Sequence, residues 1–137
     1  TYFPDIVYGN EIQIRFGRKS KTRLGSIAIR KKGREHRRLL RDEYMKLSSE
    51  EAVSIISINT HITHPEIPEQ IIDAVIAHEF CHFVHGFNSM RDQQFNTPHA
   101  NGVIHRELHE RGLDDIHRFQ KRWVKEHWTR FIAALPQ

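Results

Sequence analysis

The segment His78-Glu79-Phe80-Cys81-His82 carries the clearest chemical signal in the chain. Two histidines four residues apart project from one face of a helix, so their ring nitrogens can converge on a single zinc ion. The glutamate lies one step round the helix, where it can take a proton from a water beside the metal. This H-E-x-x-H spacing predicts a Zn²⁺-dependent hydrolase with His78 and His82 as ligands and Glu79 as the general base.

A third ligand must come from outside this segment, because catalytic zinc takes three protein ligands and keeps one position open. We expect His99, at the end of a polar loop, to be that ligand. Cys81 lies between the two motif histidines but points off their face, so it is predicted to be a small core residue. The other candidates for the third ligand are His85, His105, His109, His117 and an acidic side chain.

Hydrophobic periodicity identifies the helix that must hold the motif. It is predicted to run from Glu69 to His85, starting after Pro68 and stopping at Gly86, which suits a left-handed helix end. The apolar residues around it predict that the helix is largely buried. Two histidines and a glutamate on such a helix have no structural use if they stay unpaired, which favours a metal site.

The rest of the chain supplies a small sheet and further helices. Alternating and β-branched segments predict three strands, the first two as antiparallel neighbours joined by the basic run 17–23. The charged segment 31–47 suits a short helix or an ordered excursion. The long final helix is expected to carry Trp123, His127 and Phe131 on its apolar face. The predicted strands span 11–16, 26–30 and 53–59, and the helices after the motif span 102–111 and 114–135.

Length and composition set the class of protein. A chain of 137 residues with 38% hydrophobic and 28% charged residues predicts one soluble domain, 1–137. No stretch has the apolar length of a membrane span, and the single cysteine excludes an intrachain disulfide. These features favour a reducing, cytoplasmic location with no membrane partner.

Positive charge is concentrated at one end of the chain. Residues 1–41 contain 12 Lys and Arg against 3 acidic residues, a net charge of about +9, whereas the remainder carries about −5. Such a surface suits phosphate contacts with DNA, for which Arg34, Arg37 and Arg38 are the candidates. A solvated surface that only keeps the protein soluble is the competing interpretation.

In the order of its motifs the chain resembles the SprT-like zinc metallopeptidases, which include bacterial SprT and the Spartan proteases and are related to the YgjP-like and WLM-type peptidases. The segments that carry the resemblance are Thr22-Arg23-Leu24-Gly25-Ser26, Ile58-Asn59, Pro68 and Val75-Ile76-Ala77-His78-Glu79. The chain departs from the WLM-type pattern at Asn88, where that pattern places its third histidine. It departs from the SprT pattern at Ala100, because that pattern follows its third histidine with glycine.

This resemblance implies an α+β, minimal zincin-like fold, in which an antiparallel sheet of about three strands packs on the H-E-x-x-H helix and further helices follow. It also implies a zinc peptidase that acts on protein substrates, including proteins associated with DNA. The alternative function is a basic nucleic-acid-binding module whose zinc site is structural or idle. Glu79 discriminates between them, because a structural zinc needs a fourth protein ligand and no base. Hydrolysis of non-peptide amides is a third interpretation.

Overall fold

The computed structural model describes residues 3, 5–6, 8–20 and 22–135 and has an α+β fold with a three-stranded mixed sheet. Each strand lies within one residue of its predicted bounds at either end. Lys21, in the predicted basic connection, lies outside the described residues. The strands are β1 (Glu11–Gly17), β2 (Gly25–Lys31) and β3 (Ala52–Asn59).

The strand order is β1-β3-β2, which corrects the predicted antiparallel sheet. β3 lies between the other two strands and pairs parallel with β1 and antiparallel with β2. β1 and β2 therefore run in opposite directions, but they are not neighbours. The prediction was wrong because it treated the basic connection as a hairpin loop, whereas this connection passes the end of β3.

Burial explains why β3 takes the centre of the sheet. Its β-branched side chains are almost completely buried, whereas β1 and β2 alternate apolar and polar residues, which suits edge strands. Asn59, at the end of β3, fixes the crossing connection. Its side-chain amide donates hydrogen bonds to the carbonyls of Ser20 and Arg23, and its backbone N–H donates to Leu24.

The charged segment between β2 and β3 is an ordered excursion with one short helix, α1 (Arg41–Met45). Arg37 donates two hydrogen bonds to the Glu43 carboxylate, which ties the excursion to this helix. Leu39 reaches back to a small apolar cluster around Ile29 and Leu47. The excursion is therefore attached to the sheet on the side of β2.

The motif helix, α2 (Glu69–Val84), is buried on opposite sides, as its apolar composition predicts. On the sheet side, Phe80 and Phe83 cluster with Ile56 of β3. On the other side, Cys81 belongs to an apolar cluster with residues of the next helix, α3 (Val103–Glu110). Within the described residues, no helix is long and apolar enough to cross a membrane.

The last helical segment is long, as predicted, but a π turn changes its buried face. In a regular α-helix, residues five apart point about 140° away from each other. The wider turn brings Trp123 and Trp128 to the same core cluster, with ring centroids 6.1 Å apart. His127, predicted on the apolar face, is instead half exposed. The segment consists of α4 (Asp114–Trp123), the π turn (Val124–Trp128) and α5 (Thr129–Ala133).

Candidate metal centre

Three histidines converge beside α2. His78 and His82 lie one helical turn apart, and His99 approaches both of them from the loop before α3. The ring centroids are 5.0 Å apart for His78 and His82, 4.8 Å for His82 and His99, and 5.4 Å for His78 and His99. One ligand atom from each ring lies within 4.8 Å of the others, so the three residues could hold a metal ion. We call these three histidines the metal-capable group.

The spacing of two of these nitrogens suits a tetrahedral ion. The Nε2 atoms of His78 and His99 are 3.3 Å apart. Two nitrogens bound to one zinc at about 2.0–2.1 Å in tetrahedral geometry are separated by about 3.3–3.4 Å. The arrangement therefore fits a shared ion without a large movement of either ring.

The two histidines of α2 are kept neutral, as metal ligands must be. Burial lowers the pKa of His78 to about 4, and the neighbouring His99 acts in the same direction. Burial also lowers the pKa of His82 to about 3, assisted by His78. The buried Nδ1 atom of His82 has no hydrogen-bond partner among the described residues, so structural hydrogen bonding at that atom does not explain why this imidazole is buried.

The loop that brings back His99 is fixed to the end of α2. Gly86 starts it with φ of 86°, and an added Cβ there would lie 2.4 Å from the backbone oxygen of Asp92. Ser89 donates its hydroxyl to the carbonyl of Phe83 in the last turn of α2, which also accepts from the backbone N–H of Gly86. Several further hydrogen bonds of this kind hold the loop, donated by Phe87, Arg91 and Gln94 to carbonyls of His82, Val84 and His85.

Glu79 is the acidic group closest in sequence to the candidate metal ligands, and it is 7% exposed. Burial raises the pKa of its carboxyl to about 7, and the positive charge of Arg23 partly opposes this shift. Together with His78 it lines a cavity of about 240 Å³. Glu79 is therefore placed to exchange a proton near neutral pH with a molecule in that cavity.

Two walls of this cavity come from residues 22–25, which lead into β2, and from the last helical segment. Gly25, at the start of β2, is required for the close approach of the strand to α2, because an added Cβ would lie 2.5 Å from Cγ1 of Val75. Gln120, Val124 and Trp128 line the opposite side. These three residues are spaced by four along the chain, but nothing in their spacing predicts that they lie at the site. The π turn contributes two of them.

The two main alternatives for the third ligand occupy other environments. His85 is almost completely buried, and its Nε2 atom lies 2.8 Å from Oε1 of Glu107. His117 is also buried, and both of its ring nitrogens lack a hydrogen-bond partner among the described residues. Its ring centroid lies 5.0 Å from that of His105. Neither His85 nor His117 belongs to the metal-capable group of the described residues.

Cys81 is completely buried among apolar residues and is not a member of the histidine cluster. Burial raises the pKa of its thiol to about 12. The thiol lies among apolar side chains and apart from the three rings, which fits the predicted role of Cys81 as a small core residue.

The three arginines assigned to nucleic-acid contact have different surroundings. Arg34 is exposed in the turn after β2. Arg37 is paired with Glu43, whose carboxylate raises the pKa of the guanidinium. Arg38 is exposed and faces β2 across a groove. These positions do not test nucleic-acid binding, which stays a prediction.

Comparison of the chain with protein-family models, with curated proteins and with solved structures finds no match. The geometry of the site and the sequence motif are therefore the observations that bear on function.

The assignment of His99 predicts a large loss of zinc affinity in His99→Ala. This side chain is exposed, so the substitution should leave the fold intact. Loss of a residue that only supports a metal ligand lowers metal affinity by roughly 10–100-fold. We expect a larger fall in zinc affinity here, because His99 itself is proposed to bind the ion. His85→Ala should instead lower stability by about 1–3 kcal/mol, because it removes the buried hydrogen bond to Oε1 of Glu107, while Arg111 stays paired with Oε2. Unchanged zinc affinity in His99→Ala, together with a loss in His117→Ala, would move the third ligand to α4.

The raised pKa of Glu79 predicts that the metal-free protein is less stable at neutral pH than at acidic pH. Below about pH 4.5 the carboxyl is neutral in both the folded and the unfolded state, so Glu79 does not lower the free energy of unfolding. As pH rises through about 7 the buried carboxyl must ionise, and the free energy of unfolding falls. Glu79→Gln removes the loss, so its stability advantage over wild type should grow by roughly 2–3 kcal/mol between about pH 5 and pH 8. Urea unfolding of both metal-free proteins measures it. A difference in stability that does not change with pH would contradict the raised pKa of Glu79.

Proposed function

We propose that the protein is a zinc-dependent peptidase with His78, His82 and His99 as metal ligands and Glu79 as general base. The observation that carries the proposal is the placement of Glu79 on the same cavity as one of the ligands. A structural zinc site has four protein ligands, whereas the metal-capable group has three members among the described residues. An open coordination position beside a buried glutamate is the arrangement of a hydrolytic site.

Zinc is among the metals that suit the donor set. Imidazole nitrogens suit zinc, copper, iron and nickel better than calcium or magnesium, which prefer oxygen ligands. Three histidines with one open position form a recognised catalytic zinc set. When bound, zinc would supply a Lewis acid that polarises a substrate carbonyl and makes a water molecule more acidic.

Glu79 performs the proton transfers in this proposal. Its carboxylate takes a proton from the attacking water and delivers it to the nitrogen of the leaving amine, so one group serves as base and then as acid. Its raised pKa suits both roles, because neither protonation state is strongly disfavoured near pH 7. The positive charge of Arg23 keeps the pKa from rising further.

The proposed fold assignment is a minimal zincin-like domain of the SprT-like type. The features that support it are the motif helix, the sheet packed on one side of it and the helices that follow. The segment Thr22–Ser26, on which the resemblance partly depends, supplies Thr22, Leu24 and Gly25 to the cavity that contains Glu79. The resemblance and the cavity thus involve the same residues.

Zinc-dependent cleavage of an unfolded protein tests the proposed function. Metal-free protein should leave casein intact, one equivalent of zinc should restore cleavage, and a chelator should abolish it again. One equivalent of magnesium is the matched control and should have no effect, because imidazole ligands do not suit it. Protein that carries zinc on the three histidines yet cleaves none of several unfolded proteins would refute the peptidase and leave a metal-binding module.

A further inference from the structure

A second groove, of about 650 Å³, runs along the free edge of the sheet. One wall is formed by β2 over the five consecutive residues from Ser26 to Arg30. The charged excursion forms the other wall through Arg38, Leu39, Arg41 and Tyr44. We call this space the β2 groove.

The strand in the β2 groove has backbone groups to offer. β2 pairs with β3 on one side only, so alternate N–H and C=O groups on its other side face away from the sheet. An extended peptide can pair with such an edge as an added strand. The seven residues of β2 span about 20 Å, enough for a peptide segment of about six residues.

The charge of the groove selects for an anion. Arg23, Arg30, Arg38 and Arg41 line it, and its lining includes no acidic residue. Among the described residues, no ion pair to a carboxylate is made by Arg38 or Arg41. Arg30 donates a hydrogen bond to the carbonyl of Ile29. Charged donors without a carboxylate partner favour a ligand that supplies one.

The β2 groove leads to the candidate metal centre. Arg23 lines the groove, and its chain neighbours Thr22 and Leu24 line the cavity that contains Glu79. Gly25, two residues further on, stands against the side chain of Glu79, since an added Cβ would lie 3.5 Å from its Cγ. A peptide that follows β2 towards its first residue therefore arrives beside the proposed base.

We propose that the β2 groove binds an extended acidic peptide segment, whose backbone pairs with β2 and whose carboxylates contact Arg30, Arg38 and Arg41. As a statement about substrate class, the proposal rests on the proposed function. A peptide fits better than a nucleic acid, because a strand edge offers alternating donors and acceptors that a sugar-phosphate backbone cannot match. Leu39 and the isoleucines of β2 also give the groove an apolar part.

Peptide binding to the zinc-loaded Glu79→Gln protein tests this directly, because a protein without the base cannot consume the probe. Three fluorescent peptides of equal length would carry glutamate, glutamine or lysine at alternate positions. We expect the glutamate peptide to bind about 5–30-fold more tightly than the glutamine peptide, as a few exposed ion pairs provide. The lysine peptide should bind more weakly than both.

The double variant Arg38→Ala and Arg41→Ala, made in the same Glu79→Gln background, should remove most of that preference, because it weakens binding of the glutamate peptide much more than binding of the glutamine peptide. Both side chains are exposed, and the substitution Arg→Gln at both positions provides a second variant if the first is destabilised. The matched control changes Arg122 and Lys125 to alanine, two exposed cations on the last helical segment. It alters the net charge equally and should keep the preference.

Two results would overturn the proposal. One is a glutamate peptide that binds no more tightly than the glutamine peptide. The other is a single-stranded DNA of similar length that binds more tightly than the glutamate peptide and is lost in the double variant, which would assign the groove to nucleic acid. Preference for the acidic peptide without cleavage of any peptide by wild type would refute the peptidase alone. Cleavage by wild type with no charge preference would refute the groove proposal alone.

Discussion

Glu79→Gln is expected to lower kcat/KM for peptide hydrolysis by about 10²–10⁴-fold, the contribution typical of a positioned general base. Glutamine keeps the size and the hydrogen-bonding capacity of the side chain but cannot accept the proton of the attacking water. The variant should still hold about one zinc per chain, because Glu79 is not a member of the metal-capable group. Steady-state cleavage of a fluorogenic peptide and metal analysis of the same sample measure both outcomes.

A matched control is Glu110→Gln, which removes one carboxylate from the exposed face of α3. It should leave both kcat/KM and zinc content at the wild-type values. If Glu79→Gln cleaves the peptide as fast as wild type, Glu79 is not the base, whatever the metal content of the site.

The double substitution of His78 and His82 by alanine is expected to reduce bound zinc from about one ion per chain to none. His99 alone would remain, and a single imidazole on an exposed loop cannot retain zinc against a chelating buffer. Hydrolysis should disappear with the metal. Metal analysis after dialysis gives the stoichiometry, and circular dichroism establishes that the variant still folds.

The chain contains a matched control for this experiment. His105 and His109 also lie four residues apart on one helix, but both are exposed, and Nδ1 of His109 lies 2.8 Å from Oδ1 of Asp114. Their double substitution should leave zinc binding unchanged. Loss of zinc there, or stoichiometric zinc in the variant without His78 and His82, would show that the ion binds elsewhere.

Periodicity predicted the elements of this fold well, but not the way in which they pair. The bounds of α2 depend on two local signals, Pro68 before its first turn and Gly86 after its last. Both ends of the helix therefore lie within one residue of their predicted positions. The path of the basic connection past the end of β3 is fixed by hydrogen bonds between Asn59 and residues about 40 positions earlier in the chain. No local pattern encodes such a contact, so the sheet was predicted with the wrong neighbours.

The same difference between local and long-range signals separates the candidate metal ligands from the residues that line the cavity. His78 and His82 share a face because of helical geometry alone, which a sequence reveals. His99 was one of several possible third ligands, since its approach depends on the loop fixed at Gly86. Trp128 was missed because its place in the core requires a π turn, and regular helical spacing pointed to His127 instead.

Anomalous diffraction at the zinc absorption edge, measured from crystals of the zinc-loaded protein, would locate the ion. We expect one peak about 2.0–2.1 Å from a ring nitrogen of each of His78, His82 and His99, with a fourth position open towards Glu79. A peak with a fourth protein ligand, or one that lies away from these three rings, would contradict this expectation.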